Sequence, residues 1–415
     1  MSRTPSAQPG PLRSNGRPRA HPGSRLVRVL APVAAVLLTA CGGSEPSPVE
    51  PEEPGPFRPG LVQAFLNLRF ERPVALSAAP DESLRLYVAE RRGLFHVFDN
   101  DLQVEATNVY LDLRDRVLDE AGAGILGFAF DPDYARTGEV YVHYVAGNPR
   151  RSVLSRFHLG TEYADPASEE VLLEVPQPDA QHYGGALAFG PDGYLYVALG
   201  DGVPDGDSAD PAQDPTTLPG SLLRIDVDRR DADRPYAVPP DNPLAGNTEG
   251  LRPEIWAWGF RDPRAISFDA LTGRLWLADR GPELFDELDI IEPGRNYGWS
   301  VMEGSRCHAP RSGCETAGLQ LPVFDYGGSS AGRAIVGGFV YRGARNPELT
   351  GRYLFADFVS GQLWTVLYDG ATPASAELFI SGKAGYAAVG VDPQGEPVIA
   401  NEADGRIYRL RFSTS

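Results

Sequence analysis

The chain has 415 residues, 42% of them hydrophobic and 10% aromatic, with 46 Gly, 38 Pro, 3 Cys and a formal net charge of −18. That much apolar side chain can bury a core, which excludes disorder over most of the length. The acidic balance excludes a nucleic-acid partner, because phosphate-backbone binding rests on clustered Lys and Arg.

Residues 1–40 read as an address. Arg3, Arg13, Arg17, Arg19, Arg25 and Arg28 precede a short apolar run from Val29 to Ala40. The run falls short of the ~20 residues a bilayer span needs and suits a secretory signal. Its ending, Leu37-Leu38-Thr39-Ala40-Cys41, resembles a bacterial lipobox, in which Cys41 is lipidated and becomes the first residue. Plain secretion with cleavage near Ala40 is the alternative. The expected location is periplasmic or cell-surface, with membrane contact through the lipid anchor only. Residues 41–59, rich in Pro, Glu and Gly, read as a disordered tether. Losing residues 1–40 removes only positive charge and leaves the exported chain more acidic still.

Residues 60–413 form the folded domain. Helical periodicity is nearly absent there, and a turn signal followed by two short strands recurs. Ala79-Pro80-Asp81 leads into 84–88 and 93–98. Asp131-Pro132-Asp133 leads into 138–142 and 152–157, and Gly190-Pro191-Asp192-Gly193 into 194–198 and 220–225. Later copies are 273–278 with 287–291, 351–356 with 361–366, and 397–400 with 405–410. Six copies predict an all-β chain, a six-bladed β-propeller. Ring closure covers the apolar faces and bare edges that each small sheet would expose alone. An open solenoid would need capping repeats, and a two-sheet sandwich is rarely so large. Surplus length falls in loops, which on a propeller build the site at one end of the channel.

Three segments are rich in chemistry. His182 stands beside the paired glycines Gly184-Gly185, which let a ligand approach the backbone; a structural histidine is the plainer alternative. Arg261 lies among aromatic residues in 256–264 and suits a planar anion, or else an inter-blade ion pair with Asp262. The run 279–299, with Gly281-Pro282, Glu287 and Tyr297, offers the carboxylates and carbonyls that Ca²⁺ takes, or forms a solvated acidic turn. His96, His143 and His158 fall within strands and read as structural. The acidic run 201–214 reads as flexible. Cys307 and Cys314 share one loop of an exported chain, so a disulfide is expected, with a metal site as the alternative. No Walker loop, dinucleotide-binding glycine motif or His-Glu-x-x-His is found.

Together these segments resemble the soluble quinoprotein glucose/sorbosone dehydrogenase family, six-bladed propellers that use pyrroloquinoline quinone (PQQ). The resemblance is carried by 124–134, by His182 through Gly200-Asp201, and by Gly259-Phe260-Arg261-Asp262-Pro263. Asp286-Glu287-Leu288-Asp289 with Asn296-Tyr297-Gly298-Trp299, and 337–343, complete it. It implies oxidation of a sugar or polyol hydroxyl by hydride transfer to PQQ, with Ca²⁺ and an external electron acceptor. His182 takes the position of the general base and Arg261 that of the residue stabilising the reduced quinone. Asp262 stands at a cofactor-contacting position. The Gly281 and Pro282 carbonyls would hold the catalytic Ca²⁺, while Glu287 and Tyr297 match a second, structural Ca²⁺ site.

Departures accompany the match. Gln181 replaces the Asp that precedes the base in sugar-oxidising members, Ala186 replaces an Arg, Gly122 replaces a sugar-contacting glutamine, and Val359-Ser360 falls where late basic residues stand. They motivate an alternative, a non-catalytic calcium-stabilised propeller that binds glycan or protein. A metal-dependent lactonase-type hydrolase would need carboxylate and amide ligands from several blades, which nothing in the sequence marks.

Overall fold

Each sequence repeat becomes the middle of a four-stranded antiparallel sheet, and six such sheets stand as the blades of a β-propeller. The structure, a computed structural model, describes residues 58–413 except 121, 205–209, 328–332 and 371–373. The expected signal segment and Cys41 lie outside the described residues. In chain order the second strands of the blades are Arg85–Glu90, Glu139–Ala146, Leu195–Leu199, Leu275–Asp279, Arg352–Asp357 and Pro397–Asn401.

These strands are almost continuously buried because neighbouring blades cover both faces. Leu86 and Val88 pack with Val398 and Ile407 of the sixth blade, while the alternate residues Tyr87 and Ala89 pack with Phe130 and Val140 of the second. The period-2 alternation of a strand thus serves two interfaces at once. Tyr141 faces blade three in the same way, and Tyr196 faces blade four.

The innermost strands, Pro73–Ala78, Ile125–Phe130, Gly184–Phe189, Pro263–Phe268, Ile335–Val340 and Tyr386–Val391, contact one another around a closed ring. All six break register near their first residues. Such a bulge re-aims the extra residue, and here it delivers Val74, Leu126, Arg264, Val336 and Ala387 to the wall of one axial cavity.

Strand Arg58–Ala64 closes the ring. It pairs antiparallel with Arg406–Ser413, from Arg58 opposite Ser413 to Ala64 opposite Ile407, as the outermost strand of the sixth blade. Blade four carries an excursion between its third and fourth strands. There Met302–Glu303 pairs with Arg306–Cys307, and Cys307 is bonded to Cys314. That disulfide settles the choice left open between a bond and a metal.

Candidate active site

The axial cavity, about 190 Å³, opens where the inner strands begin. Its rim is built by the loops leading into those strands and by the turns between second and third strands; none of the expected site residues lines it, and Arg261, Gly281 and Glu287 line a narrow neighbouring cleft that shares Arg280 with it.

His182 sits in the loop entering blade three with φ +51. This left-handed conformation is strained for a residue with a Cβ, and strain of this kind clusters at functional sites. It is held from behind: the Gly202 amide donates to the His182 carbonyl at 3.3 Å. A Cβ on Gly200 would lie 1.9 Å from that carbonyl oxygen. The paired glycines have a different duty from the one their sequence suggested. A Cβ on Gly185 would meet Leu126 Cβ at 2.2 Å, so the close approach is that of blade two.

The His182 Nδ1 lies 2.8 Å from Asp201 Oδ1, both side chains nearly buried. A carboxylate there fixes the proton on Nδ1 and leaves the lone pair on Nε2, the form a general base needs. Asp201 therefore supplies the orienting carboxylate that Gln181 does not. Asp201, read as the start of a flexible run, is itself held: its Oδ2 accepts from Trp299 Nε1 at 2.7 Å, and its amide donates to the Arg261 carbonyl at 2.9 Å, while residues 205–209 of that run lie outside the described residues. Asp201 thus ties the site together, His182 and Trp299 through its carboxylate and the Arg261 backbone through its amide. The sequence marked it only as the end of the family motif running from His182 through Gly200-Asp201, with no role attached.

Arg261 is 8% exposed. Its guanidinium lies 5.5 Å from the Trp299 ring, and its Nη1 donates to the Arg280 carbonyl at 3.1 Å. Asp279 accepts from the Arg261 amide at 2.8 Å and the Asp262 amide at 2.7 Å, which fixes this turn. Burial pushes the Asp279 carboxyl up to about 7. Asp262 points into the structure instead of the cavity. It accepts from the Gly184 amide at 3.1 Å and faces Arg264 at 3.5 Å, and although burial opposes ionisation, the surrounding cations hold its carboxyl below the usual range.

Gly281 and Pro282 form the turn between the second and third strands of blade four. Asp286 accepts from the Gly281 amide at 3.1 Å and the Ile335 amide at 2.7 Å. Glu303, 4% exposed, caps the rest of the turn by accepting from the amides of Glu283, Leu284 and Phe285. Gly281 is required: a Cβ there would lie 1.9 Å from the Phe285 carbonyl oxygen. No described hydrogen bond ends on the Gly281 or Pro282 carbonyls, which suits them to a hard cation.

Glu287 lies in a row of carboxylates across blade four, opposite Asp279 on one side and Asp325 on the other. Burial and this mutual repulsion push Glu287 and Asp289 well above the carboxylate range, and both Asp289 oxygens are buried without a hydrogen bond. Such uncompensated oxygens fit a cation. Among the described residues, however, no three His, Cys, Asp or Glu side chains converge on one metal position. Any ion there would draw on backbone carbonyls. The Tyr297 hydroxyl is already engaged, donating to the Ile290 carbonyl and accepting from the Glu292 amide, both at 2.8 Å. Only its carbonyl is left for such a role.

The three strand histidines are structural as expected: His96 bonds Thr107 and Glu90, His143 is fully buried, and His158 faces Glu139.

A closed propeller whose polar groups gather at one axial mouth is the class of protein that this fold and site define. The chain belongs to the glucose/sorbosone dehydrogenase family, which matches it over residues 70–409. It is 27% identical to the HIPL1 protein of Arabidopsis thaliana over 86% of this chain and 60% of that protein. It is 30% identical to the Hedgehog-interacting protein of Homo sapiens over 69% of this chain and 41% of that one. The chain therefore spans less than two thirds of these relatives. A solved glucose dehydrogenase superposes with a TM-score of 0.69 at 26% identity, covering 85% of this chain and 99% of its own. The PQQ-bound form of an aldose sugar dehydrogenase from Streptomyces coelicolor shares the fold, with a TM-score of 0.66 at 23% identity over 87% of this chain and 99% of its own.

Proposed function

We propose that the protein oxidises a hydroxyl of a sugar or polyol, with PQQ as hydride acceptor, Ca²⁺ at the Gly281-Pro282 turn, and an external electron acceptor to complete the cycle. The observation that supports this reading is Asp201, whose carboxylate orients the His182 imidazole while its amide anchors the Arg261 backbone. PQQ, when bound, supplies an electrophilic carbonyl that the metal polarises. His182, with its proton fixed on Nδ1, takes the substrate hydroxyl proton on Nε2, and Asp201 stabilises the imidazolium that forms. Arg261 stabilises negative charge as it builds. The fit to a polycarboxylate is local: the chain is strongly acidic overall, yet Arg264 and Arg280 line the cavity beside the paired Arg91 and Glu402.

The test is dye reduction by the purified protein with PQQ and Ca²⁺ over a panel of aldoses and polyols. His182→Asn keeps a residue that tolerates the left-handed backbone and removes the base, so kcat should fall about 10²–10⁴-fold. Equal background rates in both proteins would defeat the reading.

A second reading is favoured by Gly122 on the cavity wall and Ala186 buried nearby, which leave few polar sugar contacts. In it the propeller keeps a structural Ca²⁺ and binds glycan or protein without turnover. Calorimetric titration with PQQ separates the two, since only the first requires tight PQQ binding. Both readings place the domain outside the cytoplasm on a lipid at Cys41. Palmitate labelling should vanish in Cys41→Ser, and label retained there would refute the anchor.

A further inference from the structure

We propose that Arg264 and Arg280 form a carboxylate-binding subsite in the wall of the axial cavity. Of the bulge residues that reach this wall, Val74, Leu126, Val336 and Ala387 are apolar and Arg264 alone is charged. Arg280 enters from the turn before Gly281 and lines both the cavity and the narrow cleft beside Arg261 and Trp299.

The third cavity arginine is spent. Arg91 holds Glu402 through Nε at 2.8 Å and Nη2 at 2.7 Å, and donates to the Ala123 carbonyl at 3.2 Å. The other two share one close carboxylate, the buried Asp262, which both hold ionised. Arg264 reaches its nearest carboxylate, Asp262, only at 3.5 Å, and that oxygen already accepts from the Gly184 amide. Arg280 donates through Nε to the Ile335 carbonyl at 3.0 Å, and Asp262, Asp286 and Asp357 face it without forming an ion pair. The two guanidiniums repel each other, and the shared Asp262 carboxylate offsets only part of that repulsion. A carboxylate relieves it, and its two oxygens match the guanidinium fork. The subsite rests on this geometry and requires no turnover.

Two sources carry the same group: a sugar acid, or the carboxylates of PQQ. Calorimetry on the purified Ca²⁺-loaded protein would titrate glucuronate, glucose, PQQ and inorganic phosphate. Glucuronate binding without glucose binding, weakened at least tenfold by Arg264→Gln or Arg280→Gln, supports the subsite with a sugar acid as its ligand. The same loss seen for PQQ alone supports it with the quinone as its ligand. Arg136→Gln, far out on the surface, should change nothing. Arg264→Lys and Arg280→Lys keep the charge, and partial retention of binding would separate lost charge from lost fold. Affinity indifferent to both arginines, absence of any carboxylate binding, or tighter binding of phosphate than of either carboxylate would overturn it. Dye reduction failing while arginine-dependent binding persists defeats the dehydrogenase reading and leaves the subsite standing.

Discussion

Two histidines show how much the surroundings of a residue decide. His182 keeps a carboxylate at its Nδ1 and a strained backbone, costing about 1–2 kcal/mol, that Gly200 and Gly202 enforce. His143 is fully buried, and burial pulls its imidazole down to about 4. The unfolded chain would protonate this residue near 6.5, so as pH falls from about 6.5 the unfolded state gains the proton first. The neutral form's contribution to stability is thus complete above that pH and is lost on the way down to about 4, a change of about 3 kcal/mol. Urea midpoints of wild type and His143→Gln should diverge across that window, and parallel profiles would refute the assignment. At this scale His182, Arg261 and the disulfide were readable in the sequence. Asp201 stood in a family motif but its role was not legible, since a carboxylate's partner depends on how a long loop folds back. The cavity arginines also escaped notice, because nothing near Arg264 marks a bulge.

The elements divide along the same physical line. Second and third strands were legible because Asp-Pro-Asp and Gly-x-x turns punctuate them and two-sided burial gives them dense apolar runs. The inner strands were not, because they begin with small or bulged residues such as Gly184-Gly185, whose spacing matches no simple period. The strand Arg58–Ala64 hid behind Pro59-Gly60, and its first two residues read as the end of the tether. The turn 281–285 depends on a distant cap, since one Glu303 oxygen gathers three consecutive amides. Replacing that charge by Glu303→Gln should weaken Ca²⁺ binding about tenfold by loosening the turn, with little change in melting temperature without metal. Calcium titration followed by thermal shift measures both. Unchanged affinity would mean that the turn holds itself.

At the scale of the molecule, six inter-blade cores and one terminal pairing keep the ring shut. Beginning the chain at residue 65 would remove the partner of Arg406–Ser413 and expose an unpaired edge. That truncation should lower the melting temperature by about 10 °C or more, as the loss of several kcal/mol implies, whereas removing only residues 1–57 should leave it nearly unchanged. Equal melting of the two would show that the seam contributes little.

That pairing joins the start of the domain to its end. A polypeptide made amino end first must keep its opening segment waiting until the last strand has emerged. Ring closure therefore waits for the whole domain, and a prematurely terminated product carries a vacant seam that a stray strand from another molecule can fill.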